Sequence, residues 1–189
     1  MFIEELGRHL AVCSLAELER MLKMDARFWN VVSIREPHIP RPPSLRYAKR
    51  FHEVIFDDLE RIDYQVASTP PRSEHIAGIF RFVDAHPSEP ILIHCLAGLS
   101  RSTAVTLAVI IRGLFREEQS ATTIAPVVAR AVEILLRLRP QARPNALVLQ
   151  FGLEQFLAAD HIQLIVSEVS RHPILVENRS VKSRSNETQ

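Results

Sequence analysis

The sequence predicts an α/β domain: a central, mostly parallel sheet with helices on both faces. Three observations carry this. Short apolar runs of strand character alternate with amphipathic helical stretches, the pattern of successive β–α units. One run, Ile91-Leu92-Ile93 after Pro90, is apolar at every position, as a strand buried on both faces is. It passes through a compact loop into residues 103–115, apolar on several faces, the mark of a helix that crosses a core.

In chain order, residues 9–13 read as a first strand. Ser14 is an N-cap for a helix with Leu15, Leu18, Met21 and Leu22 at helical spacing. Residues 28–34 read as a second strand, and Pro37, Pro40, Pro42 and Pro43 as a stiff connection. A third strand covers 51–56 and ends at Asp57-Asp58-Leu59. Residues 60–72 show no periodicity. Ser73 reads as the cap of a helix with Ile76, Ile79, Phe80 and Val83 on one face. After the central strand and helix, Ser120 or Thr122 starts a helix running to Leu138. Another opens at Pro144-Asn145 and runs through Leu147, Phe151 and Phe156. The predicted organisation is one domain over residues 1–170. A polar stretch, 171–189, reads as a flexible tail.

The chain has 189 residues, 47% hydrophobic and 24% charged, enough for one domain with a proper core. Its 23 basic and 22 acidic side chains leave a net charge of +1, which gives no support for a nucleic-acid or membrane partner. Cys13 and Cys95, far apart in sequence, indicate no disulfide framework. Glu4 and Glu5 stand where a secretory signal carries positive charge, and no apolar run is long enough to span a membrane.

The chemistry concentrates between the central strand and helix. Five residues separate Cys95 from Arg101, with Gly98 between them, His94 before and Ser102 after. A strand–loop–helix layout aims backbone N–H groups at an anion. The N–H groups of Leu96, Ala97, Gly98, Leu99, Ser100 and Arg101 can surround a phosphate. The planar fork of Arg101 can grip two of its oxygens, which a lysine cannot. Cys95 lies at the bottom of that cradle, where the same fields favour thiolate over thiol. Gly98 permits a bend that a side chain would obstruct. The Ser102 hydroxyl is placed to hydrogen-bond the sulfur and ease its departure. A reactive cysteine needs a reducing compartment, which predicts the cytoplasm.

These residues match every fixed position of His-Cys-x-x-Gly-x-x-Arg-Ser/Thr. The chain thus resembles the cysteine-dependent protein tyrosine phosphatases, and within them the dual-specificity type. Phe-x-Asp-Leu at 56–59 is similar to small bacterial members. Arg139-Pro140 and Pro144-Asn145 with Gln150 resemble the C-terminal helix region of the dual-specificity enzymes. The resemblance implies a phosphocysteine mechanism without metal or other cofactor, and an organising role for His94 in the loop. It also implies an aspartate on an upstream loop as general acid. Asp58, at a strand end, is the first candidate, with Asp57 and Asp63 as alternatives.

The expected substrate is a phosphorylated protein or small phosphomonoester, with phosphotyrosine the default and phosphoserine or phosphothreonine open. None of Leu96, Ala97, Leu99 and Ser100 is basic, which argues against a multiply phosphorylated substrate. The rival readings are a non-catalytic phosphate-binding module and a rhodanese-type sulfurtransferase. Cys13 shows no metal or redox spacing. His9, His38, His52, His75, His86, His161 and His172 form no cluster with ligand spacing. The oligomeric state is open.

Overall fold

A computed structural model describes residues 1–61, 67–117 and 124–186. Its sheet contains β1 (Phe2–Ile3), β2 (Arg8–Ser14), β3 (Asn30–Arg35), β4 (Arg50–Ile55) and β5 (Ile91–Cys95), in the order β1-β2-β5-β3-β4. β2, β5, β3 and β4 are parallel, and only the short edge strand β1, not expected from the sequence, runs antiparallel. β5 lies between β2 and β3, with Ile93 opposite Val12 on one side and Val32 on the other. All five of its residues are buried. That position explains why its sequence does not alternate.

The helices are α1 (Leu15–Met24), α2 (Ser73–Asp84), α3 (Arg101–Glu117), α4 (Ile124–Leu138), α5 (Ala146–Leu153), α6 (Ala159–Arg171) and α7 (Pro173–Asn186). They cover both faces of the sheet, as expected. On one face a large core joins Ile91, Ile93 and Cys95 to α2 and to α3–α6. On the other a small core gathers Ala11, Cys13, Leu18, Leu22, Trp29 and Leu45. In α3, Ala104, Val105, Leu107, Ala108, Ile110 and Ile111 are fully buried. Each such Leu or Ile contributes about 1.5–3 kcal/mol of apolar transfer. Among the described residues no helix is long and apolar enough to cross a membrane.

Local chemistry moves several expected boundaries. β3 starts at Asn30, because Arg27 turns with φ 64 and the Phe28 N–H closes onto the Asp25 carbonyl. Ser73 is the first residue of α2, with Arg72 in the cap position and no side-chain cap bond. Ser14 does cap α1, in a reciprocal capping box with Glu17. The expected starts of α4, Ser120 and Thr122, lie outside the described residues. α5 ends at Leu153, where the N–H groups of Phe156 and Leu157 turn back onto the Leu153 carbonyl.

Beyond Arg171 the structure replaces the expected irregular tail with α7. Side chains tie it down despite the polar composition, Arg179 Nη1 donating to the Ser170 carbonyl at 3.0 Å. Leu175 is fully buried in the main core, and the Asn178 amide donates to the carbonyls of Pro140 (2.9 Å) and Ala142 (2.8 Å). Leu175→Ala is expected to lower the unfolding free energy by about 2–5 kcal/mol in urea denaturation, the cost of emptying a buried leucine site. An unattached tail would leave the midpoint unchanged.

Candidate active site

The loop after β5 is held by its carbonyls. The Leu96 carbonyl accepts from the Leu15 N–H (3.0 Å), that of Leu99 from the Arg143 N–H (2.9 Å), and that of Ser100 from the Ala104 (3.0 Å) and Asn145 (3.4 Å) N–H groups. Arg139 Nη2 donates to the Ala97 carbonyl at 3.4 Å. In a planar trans peptide the carbonyl of one residue and the N–H of the next point opposite ways. Each outward carbonyl therefore turns the following N–H inward, at Ala97, Gly98, Ser100 and Arg101. The Gly98 N–H donates to Cys95 Sγ at 3.2 Å, and Ser102 Oγ lies 3.1 Å from the same sulfur.

Gly98 makes the bend possible. Its φ is +68, and a Cβ there would stand 2.5 Å from the backbone carbon of Cys13 and the nitrogen of Ser14. No flexible side chain can move aside, because the obstacle is the end of β2.

Arg101 is the largest fully buried side chain of the described residues. Nη1 donates to the Phe56 carbonyl (2.8 Å) and Nη2 to Glu36 Oε1 (2.6 Å). Nε is buried without a hydrogen-bond partner, 3.7 Å from Asp58 Oδ2. An unmet buried donor costs about 1–3 kcal/mol. The guanidinium is thus held at two corners, with Nε left to receive an oxygen. No sequence motif marks Glu36. Its one signal is position: it follows the carboxyl end of β3, the strand beside β5, where open α/β sheets bind ligands.

Of the three candidate aspartates, Asp58 reaches the loop. Its Oδ1 accepts from Ser100 Oγ (2.8 Å) and Asn145 Nδ2 (2.9 Å), and its Oδ2 faces Arg101. Asp57 is turned to Thr69, accepting that residue's N–H at 2.7 Å. Asp63 lies outside the described residues. The fold also gathers Asp57, Glu36 and His38, each with one ligand atom within 4.8 Å of the others, a grouping their sequence spacing does not reveal. Arg101, His38 and the Thr69 N–H account for these carboxylates.

His94 is buried, its Nε2 2.9 Å from Ser33 Oγ. Burial pushes its pKa down to about 4, and the Arg101 charge adds to the shift. It is therefore neutral when folded near pH 7 and ties β5 to Ser33 of β3. Cys13 packs in the small core, on the opposite face of the sheet from Cys95, so the fold does not bring the two thiols together. Burial, with Glu17 nearby, pushes the Cys13 thiol up to about 12. The Glu17 carboxyl is held down to about 2 by the Ser14 N–H and by Arg139, which joins the cap of α1 to the carbonyl side of the loop.

No protein-family model and no curated protein sequence matches the chain. Solved structures do. The Yvh1 phosphatase domain from Chaetomium thermophilum is 23% identical, with a TM-score of 0.54, over 78% of this chain and 88% of that one. OH1 from the Orf virus, described as a tyrosine phosphatase with triple substrate specificity, is 18% identical, with a TM-score of 0.51, over 80% and 84%. The human tyrosine phosphatase-like serine/threonine/tyrosine-interacting protein is 16% identical, with a TM-score of 0.52, over 82% and 93%. The chain has the protein tyrosine phosphatase fold.

Two outcomes are expected. Gly98→Ala should abolish vanadate binding while circular dichroism keeps its helical signal; unchanged binding would contradict the steric account. The second concerns pH. His94 has its ordinary pKa of 6.5 when unfolded and about 4 when folded, so its neutral burial stabilises fully above pH 6.5. That contribution is lost as pH falls towards 4, by about 3 kcal/mol in all. Urea denaturation from pH 7 to 4 should show the wild type losing about that much more than His94→Asn.

Proposed function

We propose that the chain is a phosphoric monoester hydrolase working through a phosphocysteine at Cys95. The observation that carries this reading is the donor set of the loop: N–H groups turned inward, that of Gly98 onto Cys95 Sγ, beside an Arg101 Nε that makes no hydrogen bond. Such a set matches the equatorial oxygens of a transferring phosphoryl group.

The Cys95 thiolate attacks phosphorus, and the S–P bond forms as the ester P–O bond breaks. Asp58 gives its carboxyl proton to the leaving oxygen. Water then attacks phosphorus, Asp58 takes its proton, and the S–P bond breaks with inorganic phosphate as product. The Ser102 hydroxyl, 3.1 Å from the sulfur, donates to it as it departs. Glu36 and the Phe56 carbonyl hold Arg101 throughout.

Leu15, Ile34, Ile39 and Leu96 line a small cavity beside Cys95 together with Arg35, Glu36 and His94, and Leu96 is exposed. The exposed Leu96 offers an apolar contact to an aryl ester, which with the likeness to a tyrosine phosphatase supports phosphotyrosine in a protein or peptide. No basic side chain stands at the variable loop positions to take further phosphates. The reading places the protein in the cytoplasm, where thiols stay reduced.

Hydrolysis of para-nitrophenyl phosphate against pH, under reducing conditions, tests it. Wild type should turn over, and Cys95→Ser should lose turnover while still binding vanadate. Retained turnover in Cys95→Ser would rule out the thiolate mechanism. A wild type that binds vanadate without turnover would be a phosphate-binding module, and one that turns over thiosulfate alone a rhodanese-type enzyme. Asp58→Ala should lower kcat by about 10²-fold or more on phenyl phosphate and far less on para-nitrophenyl phosphate, whose leaving group needs little protonation. If Asp63→Ala behaves that way instead, the acid lies there.

A further inference from the structure

Asn145 is fully buried, and a polar side chain in a core has to account for its hydrogen bonds. Its Oδ1 accepts the Val148 N–H at 3.0 Å, capping α5. That bond fixes the orientation of the amide, because an N–H must face an oxygen. Nδ2 consequently points the other way, donating to Asp58 Oδ1 (2.9 Å) and the Leu59 carbonyl (3.0 Å). Its backbone N–H reaches the Ser100 carbonyl. One residue thus joins the Asp58 segment, the loop around Cys95 and the start of α5.

Helix capping alone does not demand this residue. Aspartate or serine caps as well, but neither offers a hydrogen donor pair of that reach. The second donor on Asp58 is Ser100 Oγ, and it goes to the same Oδ1. Oδ1 is therefore doubly engaged as an acceptor, while Oδ2 faces Arg101 Nε.

We propose that Asn145 is a positioning residue for the general acid: with Ser100 it fixes Asp58 Oδ1 as an acceptor, so that the transferable proton rides on Oδ2, the oxygen turned to the phosphate cradle. This rests on the reading of Asp58 as the acid. Without Asn145 the carboxyl loses its aim, and transfer to the leaving oxygen slows.

The test compares Asn145→Asp, which keeps a cap for α5 but sets an acceptor against Asp58, with wild type, Asp58→Asn and the double variant. Substrates are phenyl phosphate and para-nitrophenyl phosphate, and vanadate is the binding probe. Asn145→Asp should lower kcat on phenyl phosphate by about tenfold or more and on para-nitrophenyl phosphate by about threefold or less, with vanadate affinity within about twofold of wild type. In the Asp58→Asn background the same change should add almost nothing, since there is no proton left to aim. Asn145→Ser, which keeps a hydroxyl cap without the amide, should show the same leaving-group bias if Asn145→Asp folds poorly. Equal losses on both substrates, additive losses with Asp58→Asn, wild-type kinetics, or unfolding of both variants would each overturn the proposal. In those cases a Cys95- and Asp58-dependent wild type leaves the underlying reading standing. A wild type without Cys95-dependent turnover removes both.

Discussion

The site depends on where the carbonyls of residues 96–100 point. The N–H groups of Ala97, Gly98, Ser100 and Arg101 turn inward because the preceding carbonyl is drawn outward, and the groups that draw it come from separate elements. Leu15 opens α1, Arg139 and Arg143 follow α4, Asn145 caps α5, and Ala104 is in α3 itself. The loop is a short segment without internal regular structure, yet four helices fix its geometry. In the proposed mechanism this is preorganisation: the donors are already aimed, so no reorientation is needed as charge develops.

The same arrangement explains a buried arginine. A guanidinium removed from water is costly unless its donors are met. Glu36 and the Phe56 carbonyl meet two corners, and Asp58 stands near the third without bonding it. β3 and β4 each contribute through their carboxyl ends, the edge where the parallel strands deliver their loops. The parallel order, with β5 in the middle, therefore does more than build a core. It collects Glu36, Phe56, Asp58 and Cys95 from distant parts of the sequence on one rim.

Much of this was legible in the sequence, and the parts that were not share a cause. The unbroken apolar run at Ile91–Ile93 marked the central strand, and the His94 to Ser102 pattern marked the loop with its chemistry. Asp58 was legible as a carboxylate at a strand end, but its separation from Asp57 was not. Adjacent side chains on an extended segment point opposite ways, and only the fold says which way faces Arg101. Glu36 and Asn145 carry no motif strong enough alone; each acquires a role through residues far away in the chain. The helix α7 was hidden because its attachment rests on scattered side chains, Leu175, Asn178 and Arg179, in a mostly polar stretch. His38, Glu36 and Asp57 likewise meet only through the tertiary fold.

The proposed mechanism requires the phosphoryl group to pass through the Cys95 sulfur. Acid-quenched mass spectrometry of Asp58→Ala after mixing with para-nitrophenyl phosphate addresses it directly, because slowed hydrolysis lets the intermediate accumulate. The account predicts one phosphoryl group per chain, mapped to Cys95 and absent from Cys95→Ser. A phosphoryl group on another residue, or none during sustained turnover, would contradict it.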